Sequence, residues 1–249
     1  MIDVEEFIKR QIAVFQANEL LEKRLENRER RPGRGKEGDL VYGPYLIISR
    51  EKGAGGNTVA RLVGKRLGWQ VFNNEIVDEI AQKAHVRRQL IESLDERDRA
   101  TIQDIIQETI GQLLNAGEIG TSDYLGYLKQ VVLTLGHQGD VIIVGHAARF
   151  ILPNQFGLCV RMVAPIEARI QRIAEKTRSS LKAARVEVEK TDRERVKSVR
   201  RYFGHDVTDP LSHDLIINTA ALSVEAAAEV VVTALQRKLG VQVKESGQK

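Results

Sequence analysis

With one cysteine, Cys159, in 249 residues, the chain closes no internal disulfide and builds no cysteine-rich zinc site. Long apolar runs are missing as well: nothing reaches the ~18 consecutive apolar residues of a membrane-spanning helix. The opening Met1-Ile2-Asp3-Val4-Glu5-Glu6 is acidic, unlike the basic start of a secretory signal. His85, His137, His205 and His213 are scattered without metal-ligand spacing, and there is no internal repeat or low-complexity tract. Secreted scaffolds, membrane helices and histidine–cysteine metal centres are excluded. A soluble cytoplasmic protein without a membrane partner is expected.

What is present is 42% hydrophobic residues on a length that suits one α/β domain with an appended arm. Charge is unevenly spread. The chain as a whole is net +4, yet residues 161–201 alone carry 13 basic and 6 acidic side chains. So local an excess calls for an anionic partner, whether phosphate, nucleic acid or an acidic protein. Nucleic acid is disfavoured, because the stretch lacks interleaved aromatics and matches no base-reading module.

Residues 2–30 read as a helix with Ile8, Ile12, Phe15, Leu21 and Leu25 along an apolar stripe. It either packs on its own domain or acts as a dimerisation arm, which would make the protein a homo-oligomer. Residues 30–38 have linker composition, so residues 1–40 are read as arm plus linker and residues 41–249 as the main domain. Beyond residue 45, strand runs alternate with helical stretches. The strands are Tyr45–Ser49, Trp69–Phe72, Val141–Val144, Leu158–Val163 and Asp214–Asn218. Helices are expected over Thr58–Leu67, 75–84, 86–115, 122–136 and 223–239, with breaks near Gly117 and Gly120. The alternation predicts an α/β fold with a parallel five-stranded sheet and helices on both faces.

The chemistry-bearing segment follows the first strand: Ser49-Arg50-Glu51-Lys52-Gly53-Ala54-Gly55-Gly56-Asn57-Thr58. A strand, a glycine-rich turn and a helix that opens on a hydroxyl residue have the layout of a phosphate-binding loop. Glycines let successive backbone N–H groups turn toward one anion, and the helix N-terminus adds its positive dipole end. On this reading Gly53, Ala54, Gly55, Gly56, Asn57 and Thr58 cradle phosphates, and the Thr58 hydroxyl reaches a phosphate-bound Mg²⁺. Laid on G-x-x-x-x-G-K-[ST] with Thr58 near the hydroxyl position, the lysine position falls at Gly56. Lysine-less glycine turns also occur in dinucleotide sites and in structural strand–helix turns, so both uses fit the loop by itself.

From about Tyr45 to Gly240 the sequence resembles the cytidylate-kinase-like branch of the P-loop nucleoside monophosphate kinases. The resemblance is carried by Ile48-Ser49-Arg50-Glu51-Lys52-Gly53-Ala54-Gly55-Gly56, by Val141–Leu152, by Ala164–Ile173 and by Asp214–Thr219. Members of that branch also carry glycine in place of the lysine. The resemblance implies a P-loop NTPase-like fold with an NMP-type insert and a helical lid over about residues 170–205. It implies ATP and Mg²⁺ as cofactors, and a nucleotide and a small-molecule acceptor as partners. Lid arginines would neutralise the transferred phosphoryl group. The candidates are Arg169, Arg172, Arg193, Arg195, Arg200 and Arg201, with Asp192-Arg193-Glu194-Arg195 closest to the lid's Asp-Arg-x-Arg. A solvated, ion-paired helix face is the other reading of these arginines. Arg50 or Lys52 would supply the charge that Gly56 lacks.

One departure bears on specificity. The branch's Gly-Arg-Asp, which helps hold the nucleoside monophosphate, is here Gly145-His146-Ala147, and histidine lacks the forked, permanent charge of guanidinium. His146 and, three residues on, Arg149 are the acceptor-site candidates. The expected function is thus ATP-dependent phosphotransfer to a nucleoside monophosphate or another small acceptor. A non-catalytic nucleotide- or anion-binding protein with a degenerate kinase site, used in regulation or assembly, is the alternative.

Overall fold

Runs of Ile, Val and Leu buried on both faces, with glycine-capped helices between them, build a parallel sheet. The computed structural model describes residues 4–10, 12–13, 42–94, 96–115 and 119–242. Along the chain run α1 (residues 4–10), β1 (Tyr45–Arg50), α2 (Gly56–Leu67), β2 (Gln70–Phe72), α3 (Asn74–Gln82), α4 (Ala84–Glu92), α5 (Glu96–Asn115) and α6 (Ile119–Gln138). There follow β3 (Val141–Val144), β4 (Gly157–Val163), α7 (Ile166–Thr177), α8 (Leu181–Phe203), β5 (Leu215–Asn218) and α9 (Val224–Leu239). These residues form two compact units, one from residues 1–43 and 72–140, the other from residues 44–71 and 141–249. No helix of the described residues is long and apolar enough to cross a membrane.

In the second unit the strand order is β2-β3-β1-β4-β5. β1 pairs in parallel with β3 and β4, placing Ile48 opposite Val144 and Val160, and β4 pairs in parallel with β5. Leu46, Ile48, Leu158, Val160 and Met162 pack under Val59, Val63 and Leu67 of α2 and Ala227, Val231 and Leu235 of α9. α2 stops at Gly68, whose positive φ of 72° suits glycine and whose N–H reaches the Gly64 carbonyl. At Gly64 a Cβ would lie 2.8 Å from the Val71 side chain, so helix and following strand touch there without one. Helices α7 and α8 share their own small core of Ile170, Ile173, Ala174, Ala184 and Val188. With β1 central and the crossovers leaving it to either side, the loop after β1 lies at the carboxyl edge where open α/β sheets bind ligands.

In the first unit Val4 and Ile8 of α1 are buried, and Phe7 meets Phe72 edge to face at 5.3 Å. The rest of the expected 2–30 helix and the 30–38 linker lie outside the described residues. Asn73 caps α3 by accepting the Ile76 N–H at 3.0 Å. The expected 86–115 helix is two helices. Ser93 ends the first by bonding back to the Leu90 carbonyl at 2.6 Å, while Gln138 donates to the same hydroxyl at 2.9 Å. Gly120, read as a break, lies inside α6; Gly117 is outside the described residues.

Candidate functional site

Between Arg50, the last residue of β1, and Gly56, the first of α2, the chain reverses through Gly53 and Gly55 at φ values of 83° and 76°. Both values are left-handed and favour glycine. At Gly53 a Cβ would also lie 2.7 Å from the Arg169 carbonyl oxygen. Some loop amides are used internally: Glu51 N–H donates to Met162, Ala54 N–H to Glu51, and Thr58 and Val59 N–H to the Gly55 carbonyl. The N–H groups of Gly55, Gly56 and Asn57 have no partner among the described residues. They stand at the N-terminal end of a 12-residue helix, where orphan amides and dipole together favour an anion.

The loop carbonyls, by contrast, are held from behind. Arg169 donates to the Lys52 carbonyl at 3.1 Å, Arg172 reaches the Gly53 carbonyl at 3.4 Å, and Arg195 donates to the Arg50 carbonyl at 3.1 Å. Ala54 offers its carbonyl to the Thr219 hydroxyl at 3.0 Å, and Arg172 also binds the Thr219 hydroxyl and carbonyl, at 2.9 and 2.6 Å. The Ala54–Gly55 peptide thus has its oxygen fixed by Thr219 while its N–H, at Gly55, points to no partner among the described residues. Arg169 is 7% exposed and ties further groups together: the Ala164 carbonyl at 2.8 Å, Glu51 at 3.3 Å and the Asp192 carboxylate. Asp192 in turn accepts the Lys52 N–H at 2.8 Å.

The expected phosphate-loop residues Gly53 to Thr58 are therefore together in one turn. The helix starts two residues earlier than expected, at Gly56, which makes Thr58 its third residue, with the Thr58 hydroxyl accepting from Arg61 at 3.5 Å. Arg50 and Arg195 meet through a hydrogen bond, whereas Arg193 points away, 65% exposed and 3.7 Å from Glu189. Arg200 is likewise outside, 3.6 Å from Asp206. Lys52 is bound to Glu187 at 2.6 Å.

At the end of β3, Gly145, His146 and Ala147 all have positive φ, at 90°, 55° and 52°. Two non-glycine residues in succession there amount to local strain of the kind stored at functional turns. Gly145 N–H bonds to the Ile48 carbonyl at 3.1 Å, so this turn starts beside the end of β1. Arg149 is anchored elsewhere, donating to the Ser212 carbonyl at 2.6 Å.

Sequence reasoning passed over Arg161, which is 6% exposed and donates to Ser49 at 3.1 Å. Burial lowers its pKa, although Glu51, Asp192 and Asp206 counteract the shift. A lone arginine inside an apolar strand was the available signal. Glu51 and Thr219 were missed as scaffold residues, although both lie in segments that carry the family resemblance. Burial also lowers the His213 pKa and pushes the Cys159 thiol up to about 12, which leaves that thiol unreactive at neutral pH.

Residues 46–221 match the family model for the cytidylate kinase-like family. The chain belongs to that family. A cytidylate kinase of Sulfolobus acidocaldarius is 32% identical over 101 residues, which cover 41% of this chain and 56% of the relative. One from Desulfurococcus amylolyticus is 25% identical over 195 residues, 78% of this chain and 94% of the relative. The matches thus span about half the length of some curated relatives and nearly all of others. Among solved structures, an uncharacterized protein from Eubacterium ventriosum superposes with a TM-score of 0.53 at 18% identity, over 77% of this chain and 98% of that one. This likeness concerns the fold alone. The chain has an α/β architecture with a parallel five-stranded sheet, and the family match takes in the glycine-rich loop, β3 and its turn, β4, α7, α8 and β5.

Proposed function

We propose that the protein binds ATP through the Gly53–Thr58 loop and transfers the γ-phosphoryl group to a nucleoside monophosphate or another small acceptor. One observation carries this reading: arginines and Thr219 engage the loop by its carbonyls, while the Gly55, Gly56 and Asn57 amides, at the start of α2, have no partner among the described residues. Preorganised N–H donors stabilise phosphate charge without reorganising during the reaction. The donor set also fits Mg²⁺, which keeps several waters and takes few protein oxygens beside the nucleotide's phosphates. Thr58 would hold the ion, whose charge helps neutralise the β- and γ-phosphate oxygens when bound. Arg195, next to the loop, is the arginine suited to the transferred group; Arg193 joins it only if α8 turns about its axis. The strained His146 turn marks the acceptor side, with Arg149 as its neighbour in the chain.

A coupled assay for ADP formation with CMP, dCMP, UMP, AMP and GMP as acceptors tests the proposal. Turnover with at least one of them is expected, and none at high enzyme concentration would sink the catalytic reading. The non-catalytic alternative draws on the Asp192 carboxylate, which already occupies the Lys52 amide, and on the missing loop lysine. It predicts thermal stabilisation by ATP without turnover. The arm of residues 1–40 is proposed as the assembly element of the 41–249 domain in either case. An unchanged subunit number after its removal, by light scattering, would dismiss that role.

A further inference from the structure

Buried charges are ordinarily paired, because an ion taken out of water loses its hydration and needs a partner to replace it. Arg161 departs from that rule. It is 6% exposed, yet among the described residues its one hydrogen bond goes to the neutral Ser49 hydroxyl, at 3.1 Å, and no carboxylate lies within ion-pair distance. Glu51, Asp192 and Asp206 act on it only from further off. Each of these acids has a nearer cation. Glu51 and Asp192 are paired with Arg169, Asp192 also stands 3.8 Å from Arg195, and Asp206 is 3.6 Å from Arg200.

Side chains of a strand alternate between the two faces of the sheet. Ile48, Val160 and Met162 belong to the core under α2 and α9, so Ser49 and Arg161, which pair in register between β1 and β4, are on the other face. There the register partner of Arg161 on β5 is Ile216, itself 44% exposed, so the sheet is open to solvent beside the guanidinium. None of the arginine's nitrogens is sealed off without a partner, and the N–H groups that Ser49 leaves unused therefore have access to solvent. Ser49 is the last residue but one of β1, and the glycine-rich turn starts directly after Arg50. From this unmatched guanidinium beside the loop we infer that Arg161 and Ser49 form a second phosphate subsite, which takes a phosphate group of a bound nucleotide, the acceptor's or the donor's terminal one. The guanidinium fork meets two phosphate oxygens, and the Ser49 hydroxyl, which accepts from Arg161, keeps its own proton to donate to the same group. The inference rests on the reading of the loop as a nucleotide site.

The test follows nucleotide affinity by calorimetry and folding by thermal melting in the full chain, with Mg²⁺-ATP, CMP, dCMP, UMP, AMP and GMP as probes. Arg161→Met keeps the apolar stem and removes the charge. Without nucleotide it should melt at or above the wild-type temperature, because an unmatched buried charge has been withdrawn. With nucleotide it should bind about 10- to 100-fold more weakly. A loss for a monophosphate identifies the acceptor's phosphate as the occupant, and a loss for ATP alone identifies the donor's. Arg161→Lys carries the same test should the methionine variant not fold. It retains a charge without the fork, and affinity for the same nucleotide should fall at least about fivefold. Unchanged affinity in either variant, for every nucleotide that the wild type binds, would overturn the inference alone and make Arg161 a scaffold residue. A wild-type protein that binds no nucleotide would overturn the nucleotide-site reading and this inference with it.

Discussion

Arginines of α7 and arginines of α8 come from the same basic stretch and do opposite things. Arg169 and Arg172 of α7 are drawn under the loop, where they hold carbonyls of Lys52, Gly53 and Thr219. On α8, Arg193 and Arg200 face water, 65% and 71% exposed, beside Glu189 and Asp206. A charge surplus is thus no description of a surface. Part of it is internal scaffold whose positive ends face peptide oxygens, and part is a solvated helix face; Arg195, on the loop's Arg50 carbonyl, belongs with the first group.

The strongest way to break that comparison is to remove the charge at the centre of the scaffold. Arg169→Met keeps the apolar stem but leaves Glu51 and Asp192, each 25% exposed, without their shared cation. Removing one partner of a buried ion pair costs about 3 to 5 kcal/mol. The partial exposure of the carboxylates argues for about 3, read from urea unfolding. A cost below about 1 kcal/mol, in the range of surface pairs, would put Arg169 in the solvated class. Next in size is Arg172→Met, which strips hydrogen bonds from the buried Thr219 and should cost about 2 kcal/mol by the same measurement. Asp192→Asn is milder. Its amide oxygen still accepts the Lys52 N–H, and what is lost is the charge facing Arg169 and, at 3.8 Å, Arg195, so about 1 kcal/mol is expected.

Much of this fold was legible beforehand because its signals are local. Val141–Val144 is an unbroken β-branched run, and the structure has a strand over those same residues. The glycine-rich turn after β1, too, followed from strand, glycines and helix start in sequence order. The 86–115 stretch misled because Ser93 carries no strong breaker signal, and its back-bond to Leu90 is completed by Gln138 from a distant helix. Sorting the arginines needed tertiary information as well, yet a partial cue was present. Val188 and Val199 are buried, and Asp192 and Arg195 fall between them at spacings of four, three and four on one helical face. Glu189, Arg193 and Arg200 follow the same rhythm on the face turned away. Phase relative to the apolar positions, rather than resemblance to Asp-Arg-x-Arg, separates Arg195 from Arg193.

That separation is sharpened by the smallest effect. Arg193 and Glu189 are an i,i+4 pair at 3.7 Å, with side chains 65% and 37% exposed. Such pairs contribute about 0.3 to 0.5 kcal/mol and are screened by salt. Arg193→Gln should therefore leave urea stability within about 0.5 kcal/mol of wild type, and the difference should vanish as ionic strength rises. Because folding is nearly untouched, the same variant reports on catalysis without ambiguity. If α8 keeps the orientation it has here during phosphoryl transfer, Arg195→Gln should lower kcat far more than Arg193→Gln. Equal losses in kcat, with stability preserved in Arg193→Gln, would mean that α8 turns its outer face toward the loop in the working cycle. The contrast between the two arginines would then be one of state and not of place.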